Sequence, residues 1–210
     1  MKSTGIDELV IAGWTGRDEA ALNKHIRELE ELGVKPPKTT PIFYRVARSL
    51  LTFDGEIQVS GEHTSGEVEF VLLLRADGLW VTVGSDHTDR QAETMGVSLS
   101  KQLCAKPVAA DAWRYEDVKA HWARLVLRSW IAESGERTLY QEGTVDAMRS
   151  PEDLIARFGG LPRGYAMFCG TFAAKGGIRP SSVFEMELED PVRGRKLSHR
   201  YSVIVLPVQG

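Results

Sequence analysis

Cysteine is scarce: Cys104 and Cys169 are the only two in a chain of 210 residues. Two cysteines make no disulfide framework of the kind that staples small secreted domains, and they suit a reducing cytoplasm, the expected location. Long apolar runs are missing as well. The longest aliphatic stretch, Val71-Leu72-Leu73-Leu74, falls far short of the ~20 residues that a membrane helix needs. The start Met1-Lys2-Ser3-Thr4-Gly5 carries no apolar core of a signal peptide. Neither sign of charge dominates, with 26 Lys+Arg against 29 Asp+Glu and a formal net charge of −3. Without a basic block there is no electrostatic footprint for a nucleic-acid backbone. Trp113, Trp122 and Trp130 lack the interleaved cations of a base-stacking platform, and are expected to pack a core or a subunit interface. Repeats, low-complexity tracts and a Pro/Gly/Ser-rich linker are also absent, so a single domain over residues 1–210 is expected.

The pattern that is present is strand-rich. Leu9-Val10-Ile11-Ala12 reads as a strand. Residues 17–32 read as a helix, with Ala21, Leu22, Ile26, Leu29 and Leu32 at three- and four-residue spacings, Gly33 at the C-terminal cap and Pro36-Pro37 beyond. Ile42 to Val46 is strand-like, and Asp54-Gly55 signals a hairpin. Residues 67–75 and 80–86 predict two strands around Asp77-Gly78. A helix is expected over 90–103, strands over 124–131, 138–141, 165–171, 183–189 and 196–206, and a short helix over 151–158 with Pro151 at its first position. Strands outnumber helices and are mostly hairpin-linked, which predicts a β-dominated α+β fold.

One cluster carries chemistry. Glu67 and Glu69 share a strand face, and a two-residue Asp77-Gly78 turn sets Glu69 opposite Asp86. Directly opposed Cβ atoms lie ~4.5–5.5 Å apart, where like charges destabilise. The rest of the hairpin is apolar on both faces, so three ionised acids there call for a divalent cation, and oxygen ligands select Mg²⁺, Mn²⁺ or Ca²⁺. The competing reading is a frayed strand end with three solvated acids. His63 and His87 are tempting further ligands, but His87 points to the face opposite Asp86 in this register and is not one.

In order along the chain, these residues resemble the fumarylacetoacetate hydrolase superfamily. Its Glu-x-Glu pair reads Glu67-Val68-Glu69, and its Asp-x-Ser/Thr-x-Arg segment reads Asp86-His87-Thr88-Asp89-Arg90. Its pocket lysine matches Lys101, its Arg-Gln-x-x-x-Thr segment resembles Tyr140-Gln141-Glu142-Gly143-Thr144, and its Gly-Thr-Pro-x-Gly turn resembles Gly170-Thr171-Phe172-Ala173-Ala174. Upstream, its His-x-x-Glu helix, Pro-Pro loop and Phe-x-Lys strand resemble His25-Ile26-Arg27-Glu28, Pro36-Pro37 and Phe43-Tyr44-Arg45. The resemblance runs from about Ile11 to Leu206 and is to an uncharacterised bacterial branch.

The resemblance implies a mixed β-roll with short peripheral helices, residues 1–50 supplying a lid helix and flanking strands. It implies Glu67, Glu69 and Asp86 as ligands of Mg²⁺ or Mn²⁺ (Ca²⁺ in vitro), and a metal-stabilised enolate formed from a small 2-oxo or 1,3-dioxo acid. Lys101 would place a cation near the developing oxyanion. His25 and Glu28, three apart on one helix face, would form a general-base dyad. Arg90, Gln141, Gly170 and Thr171 would bind substrate, and the enzyme would be a homodimer. C–C bond hydrolysis is the first expectation, with 2-oxo-alkenoate hydration or oxo-acid decarboxylation as alternatives and a non-catalytic binding protein as another. Departures from the pattern gather in the substrate pocket. Ala21-Leu22-Asn23-Lys24 replaces the Asn-Tyr pair, Arg45 the strand lysine and Lys106-Pro107-Val108 the Gly-Pro pair, and no proline follows Thr171.

Overall fold

The computed structural model describes residues 5–20, 22–23, 27 and 37–209. The candidate dyad His25 and Glu28 lies outside the described residues, as does most of the expected first helix; Glu19, Ala20, Leu22, Asn23 and Arg27 have helical backbone. Strand makes up 45% and helix 20%, so the β-dominated α+β expectation holds.

The first half of the chain contributes β1 (Glu8–Gly13), β2 (Ile42–Val46), β3 (Leu51–Thr52), β4 (Glu56–Ser60), β5 (Thr64–Ser65), β6 (Val68–Arg75), β7 (Gly78–Ser85) and β8 (Thr88–Asp89). Two short helices follow, α1 (Arg90–Glu93) and α2 (Val97–Gln102), then β9 (Lys106–Pro107), β10 (Trp113–Arg114) and α3 (Tyr115–Val118). The remainder is β11 (Val126–Glu133), β12 (Glu136–Thr144), α4 (Pro151–Phe158), β13 (Tyr165–Phe168), β14 (Val183–Asp190) and β15 (Arg195–Leu206).

Two larger sheets form, ordered β10-β7-β6-β13-β1-β2 and β12-β11-β14-β15-β4. One buried cluster draws Val10, Phe70 and Val83 from the first and Leu127, Met186 and Tyr201 from the second, so the sheets pack on each other. The alternation in β14 shows how sequence sets the facing: Phe184, Met186 and Leu188 are buried, while the glutamates between them are half-buried on the outer side. Strand β6 is different. Phe70 and Leu72 join the inter-sheet cluster and Val71 and Leu73 a second one behind, so both faces are covered and its run is continuously apolar.

Three expectations are corrected. The β6–β7 turn is Ala76-Asp77, since Arg75 pairs with Gly78, and the register therefore places Glu69 opposite Gly84 instead of Asp86. Asp77 accepts a hydrogen bond from Trp80 Nε1 (2.9 Å), and Gly78 adopts φ 126, so the turn closes one residue earlier than Asp-Gly spacing suggests. Asp54-Gly55 turns the chain without forming a hairpin: β3 pairs parallel with β9, and β4 pairs parallel with β15. The helix expected over 90–103 is broken into α1 and α2 by Thr94-Met95-Gly96. The short helix over 151–158 appears with its proline, its Ser150 cap on the Asp153 N–H and Gly159 left-handed at its end.

Candidate metal centre

The register slip is of two residues, and an even slip keeps every side chain on its face. Glu67 precedes β6 and Asp86 follows β7, and the ladder continues to them through Asp86 N–H donating to the Glu67 carbonyl (3.0 Å). Glu67 is thus the acid opposite Asp86, and Glu69 lies two residues along the same face. One carboxylate oxygen from each of the three lies within 4.8 Å of the others. Glu69 is 2% and Asp86 0% exposed and Glu67 is half-buried, so the acids do not fray into water.

Three cations surround them. Arg90, at the start of α1, donates Nη2 to Glu67 (2.9 Å), Nη1 to Glu93 (3.0 Å) and Nε to Ser65 (2.7 Å). Lys101 of α2 pairs with Asp86 Oδ2 and stands 3.6 Å from Glu67. Lys106 of β9 is fully buried, with its ammonium 3.0 Å from Asp86 Oδ1 and donating to the His87 carbonyl (2.6 Å). Burial alone would raise the Asp86 carboxyl, but Lys101 and Lys106 outweigh it and hold the pKa down at about 2. Glu69 goes the other way: burial, then the Asp86 charge, push it well above the usual carboxylate range, against the opposing Lys101 and the Gly170 N–H.

These residues fit a hard divalent cation. The donor set is all carboxylate oxygen, and Asp86 Oδ1 is buried with no hydrogen-bond partner, Lys106 being close but outside hydrogen-bonding geometry. Glu69, Glu67 and Asp86 would hold the ion, whose positive charge would counter the burial and the Asp86 charge that raise the Glu69 carboxyl.

A cavity of about 620 Å³ opens onto the cluster, lined by Glu67, Glu69, Arg90, Lys101, Gln141, Gly170 and Thr171 among others. The structure thus brings together every candidate residue that lies in its described part, with Asp86 behind Lys101. The four candidate substrate binders have their polar groups turned to the protein. Gln141 accepts from Val68 N–H and Ser129 Oγ (both 3.0 Å) and donates to Thr171 Oγ1 (2.8 Å) and the Phe172 carbonyl (2.7 Å). Thr171 Oγ1 in turn donates to the Val68 carbonyl (2.7 Å), and Gly170 N–H donates to Glu69 (2.6 Å). With Arg90 clamped on Glu67, these four position the acids and the loop after β13 through side-chain and backbone contacts. A second cavity of about 530 Å³, around Arg17, Lys119 and Trp122, contains none of the candidates.

Two residues of the site are not marked by the sequence pattern. Lys106 stands there only as a departure from the family motif, yet it touches Asp86. Tyr44 lines the cavity, whereas its neighbour Arg45 lies on the other side of β2, ion-paired to Glu8 and over the rings of Phe158 and Tyr165. Strand alternation is the available signal for Tyr44. His87 stays outside the ligand set: it is buried between Tyr201 and Thr64 (2.9 Å each), and burial, then Lys106 and Arg90, push its pKa down to about 3. Cys104 and Cys169 are buried, and burial raises both thiols above their ordinary range. No helix among the described residues is long and apolar enough to cross a membrane.

Several solved structures share the fold. The 2-keto-3-deoxy-D-arabinonate dehydratase complexed with magnesium and 2,5-dioxopentanoate is 16% identical, with a TM-score of 0.68 over 96% of this chain and 74% of that one. Cg1458 is 16% identical, with a TM-score of 0.65 over 97% and 77%. The 4-oxalocrotonate decarboxylase from Pseudomonas putida G7, complexed with calcium and acetate, is 15% identical, with a TM-score of 0.58 over 94% and 76%. Identities this low speak for the fold alone. No curated protein matches the sequence significantly. A profile of the family described as "Protein of unknown function (DUF2848)" matches residues 12–201. The chain belongs to that family, and its fold is the one shared by fumarylacetoacetate hydrolase superfamily members.

Proposed function

We propose that the chain is a divalent-metal-dependent enzyme acting on a small 2-oxo or 1,3-dioxo acid, with cleavage of a C–C bond as its reaction. The carrying observation is the triad of buried Glu69 and Asp86 with half-buried Glu67 at the wall of an open cavity. A bound Mg²⁺ or Mn²⁺ supplies Lewis acidity to the oxo and carboxylate oxygens of such a substrate. The chain's own residues supply the rest. Lys101 holds a positive charge beside Asp86, where it opposes negative charge developing on the substrate, an effect commonly worth ~3 kcal/mol of barrier. Gly170 and Gln141 keep Glu69 and the loop after β13 in place. The expected general base is the dyad His25 and Glu28. The dehydratase and decarboxylase of the same fold favour a second reading, loss of water or CO₂ from an oxo acid.

A crystal grown with Mg²⁺ and oxalate tests the site: density for the ion is expected between the three acids, and its absence sinks the proposal. Glu69→Ala should abolish Mn²⁺ binding in calorimetry, and an undiminished Mn²⁺ isotherm would remove the assignment. Product analysis on acylpyruvates and 2-oxo acids then separates C–C hydrolysis from release of CO₂ or water. A metal-bound protein that turns over none of them is the non-catalytic binder.

A further inference from the structure

The cavity beside the acids is walled by aromatic rings. Trp14, Tyr44 and Phe172 line it, and the backbone holds each there. Trp14 follows β1 at φ 57, a left-handed conformation that a bulky residue keeps only where its surroundings enforce it. Tyr44 lies over Gly13, where a Cβ would come 3.0 Å from its ring, and Phe172 lies over Gly143, where a Cβ would come within 2.6 Å. Leu22 and Ile178 extend the apolar wall.

The described cations of the same cavity are already paired. Its described cations are Arg90 and Lys101, the first bound to Glu67 and Glu93 and the second to Asp86 and Glu67. Among the described lining residues no cation is left for a second carboxylate on the ligand, and placing one against the rings would strand a desolvated charge. An apolar group meets no such penalty and removes ring surface from water.

We infer that the ligand carries a compact apolar tail, aryl or branched alkyl, on its oxo-acid head, and that Trp14, Tyr44 and Phe172 read the tail. The head rests on the oxo-acid reading above; the tail rests on the rings.

Calorimetric titration of the full chain in Mn²⁺ with three stable mimics of one head group tests it. Oxamate presents the head alone, N-benzyloxamate adds an apolar tail, and N-oxalylglycine adds a carboxylate. N-Benzyloxamate should bind at least about tenfold more tightly than oxamate, and N-oxalylglycine no more tightly than oxamate. Trp14→Gly suits the left-handed backbone and removes the ring; it should erase most of the benzyl preference and leave oxamate unchanged. Phe172→Ala is the second variant, with the same expected pattern. Equal binding of oxamate and N-benzyloxamate, tighter N-oxalylglycine, or a preference untouched in both variants overturns the tail while Mn²⁺-dependent oxamate binding keeps the head. No binding of any of the three overturns both.

Discussion

Lys106 is a fully buried lysine whose ammonium meets Asp86 and the His87 carbonyl. Desolvating an ammonium costs several kcal/mol unless the pairing offsets it, and removing one member of a buried pair leaves the other uncompensated. Lys106→Met keeps the apolar stem and deletes the charge. It should destabilise the metal-free protein by about 3 kcal/mol in urea unfolding. The same change removes a cation that competes for Asp86, so Mn²⁺ affinity measured by calorimetry should rise by about tenfold. The acids themselves are legible in the sequence, because strand alternation puts Glu67 and Glu69 on one face. Lys106 is not: a lone lysine before a proline carries no sign of burial, and only the pairing of β9 with β3 and of Val108 with Gly84 brings it to Asp86.

Elements are legible where local chemistry decides them, as in α4 with its serine cap, first-turn proline and terminal glycine. The β14–β15 turn belongs with it. Asp190 accepts from His121 (2.9 Å), from the N–H groups of Val192 (3.1 Å) and Arg193 (3.2 Å), and from Arg195 (3.1 Å). Burial would raise its carboxyl, but the hydrogen bonds from His121, Arg193 and Arg195 hold it below the usual range. A depressed native pKa means that the ionised group stabilises the fold above the unfolded value of about 4, and that this is lost as pH falls through the lower native value. Asp190→Asn should therefore cost about 2 kcal/mol at pH 7, with the gap to wild type closing in urea titrations as pH falls through that lowered native value. Elements whose partners lie far away in the chain are not legible, as at Asp54-Gly55, where a turn signal cannot say that the strands on either side join different sheets. The loop after β13 is held by distant residues as well. Gly170 adopts φ 97, and a Cβ there would overlap Thr15 Oγ1. Gly170→Ala should displace the N–H that holds Glu69 and weaken Mn²⁺ binding more than tenfold, with a loss of about 2 kcal/mol in stability.

For the whole molecule, an ion that binds the native triad and not the unfolded chain adds stability by mass action. Mn²⁺ at about 100 times its Kd should contribute about 2.7 kcal/mol. Chelator should reverse the shift in thermal unfolding, and Glu69→Ala should show none of it.

The antiparallel pairing of β13 with β6, Ala166 beside Leu73 and Phe168 beside Val71, fixes when this centre can exist. A nascent or refolding chain must close the 101 residues that separate Glu69 from Gly170 before that N–H can reach the carboxylate, and such non-local closure is slow. The ion would then bind after the rate-limiting barrier, so added Mg²⁺ should leave the refolding rate unchanged and slow unfolding alone in stopped-flow experiments. The metal would act as a late lock on the folded chain and not as a template for it.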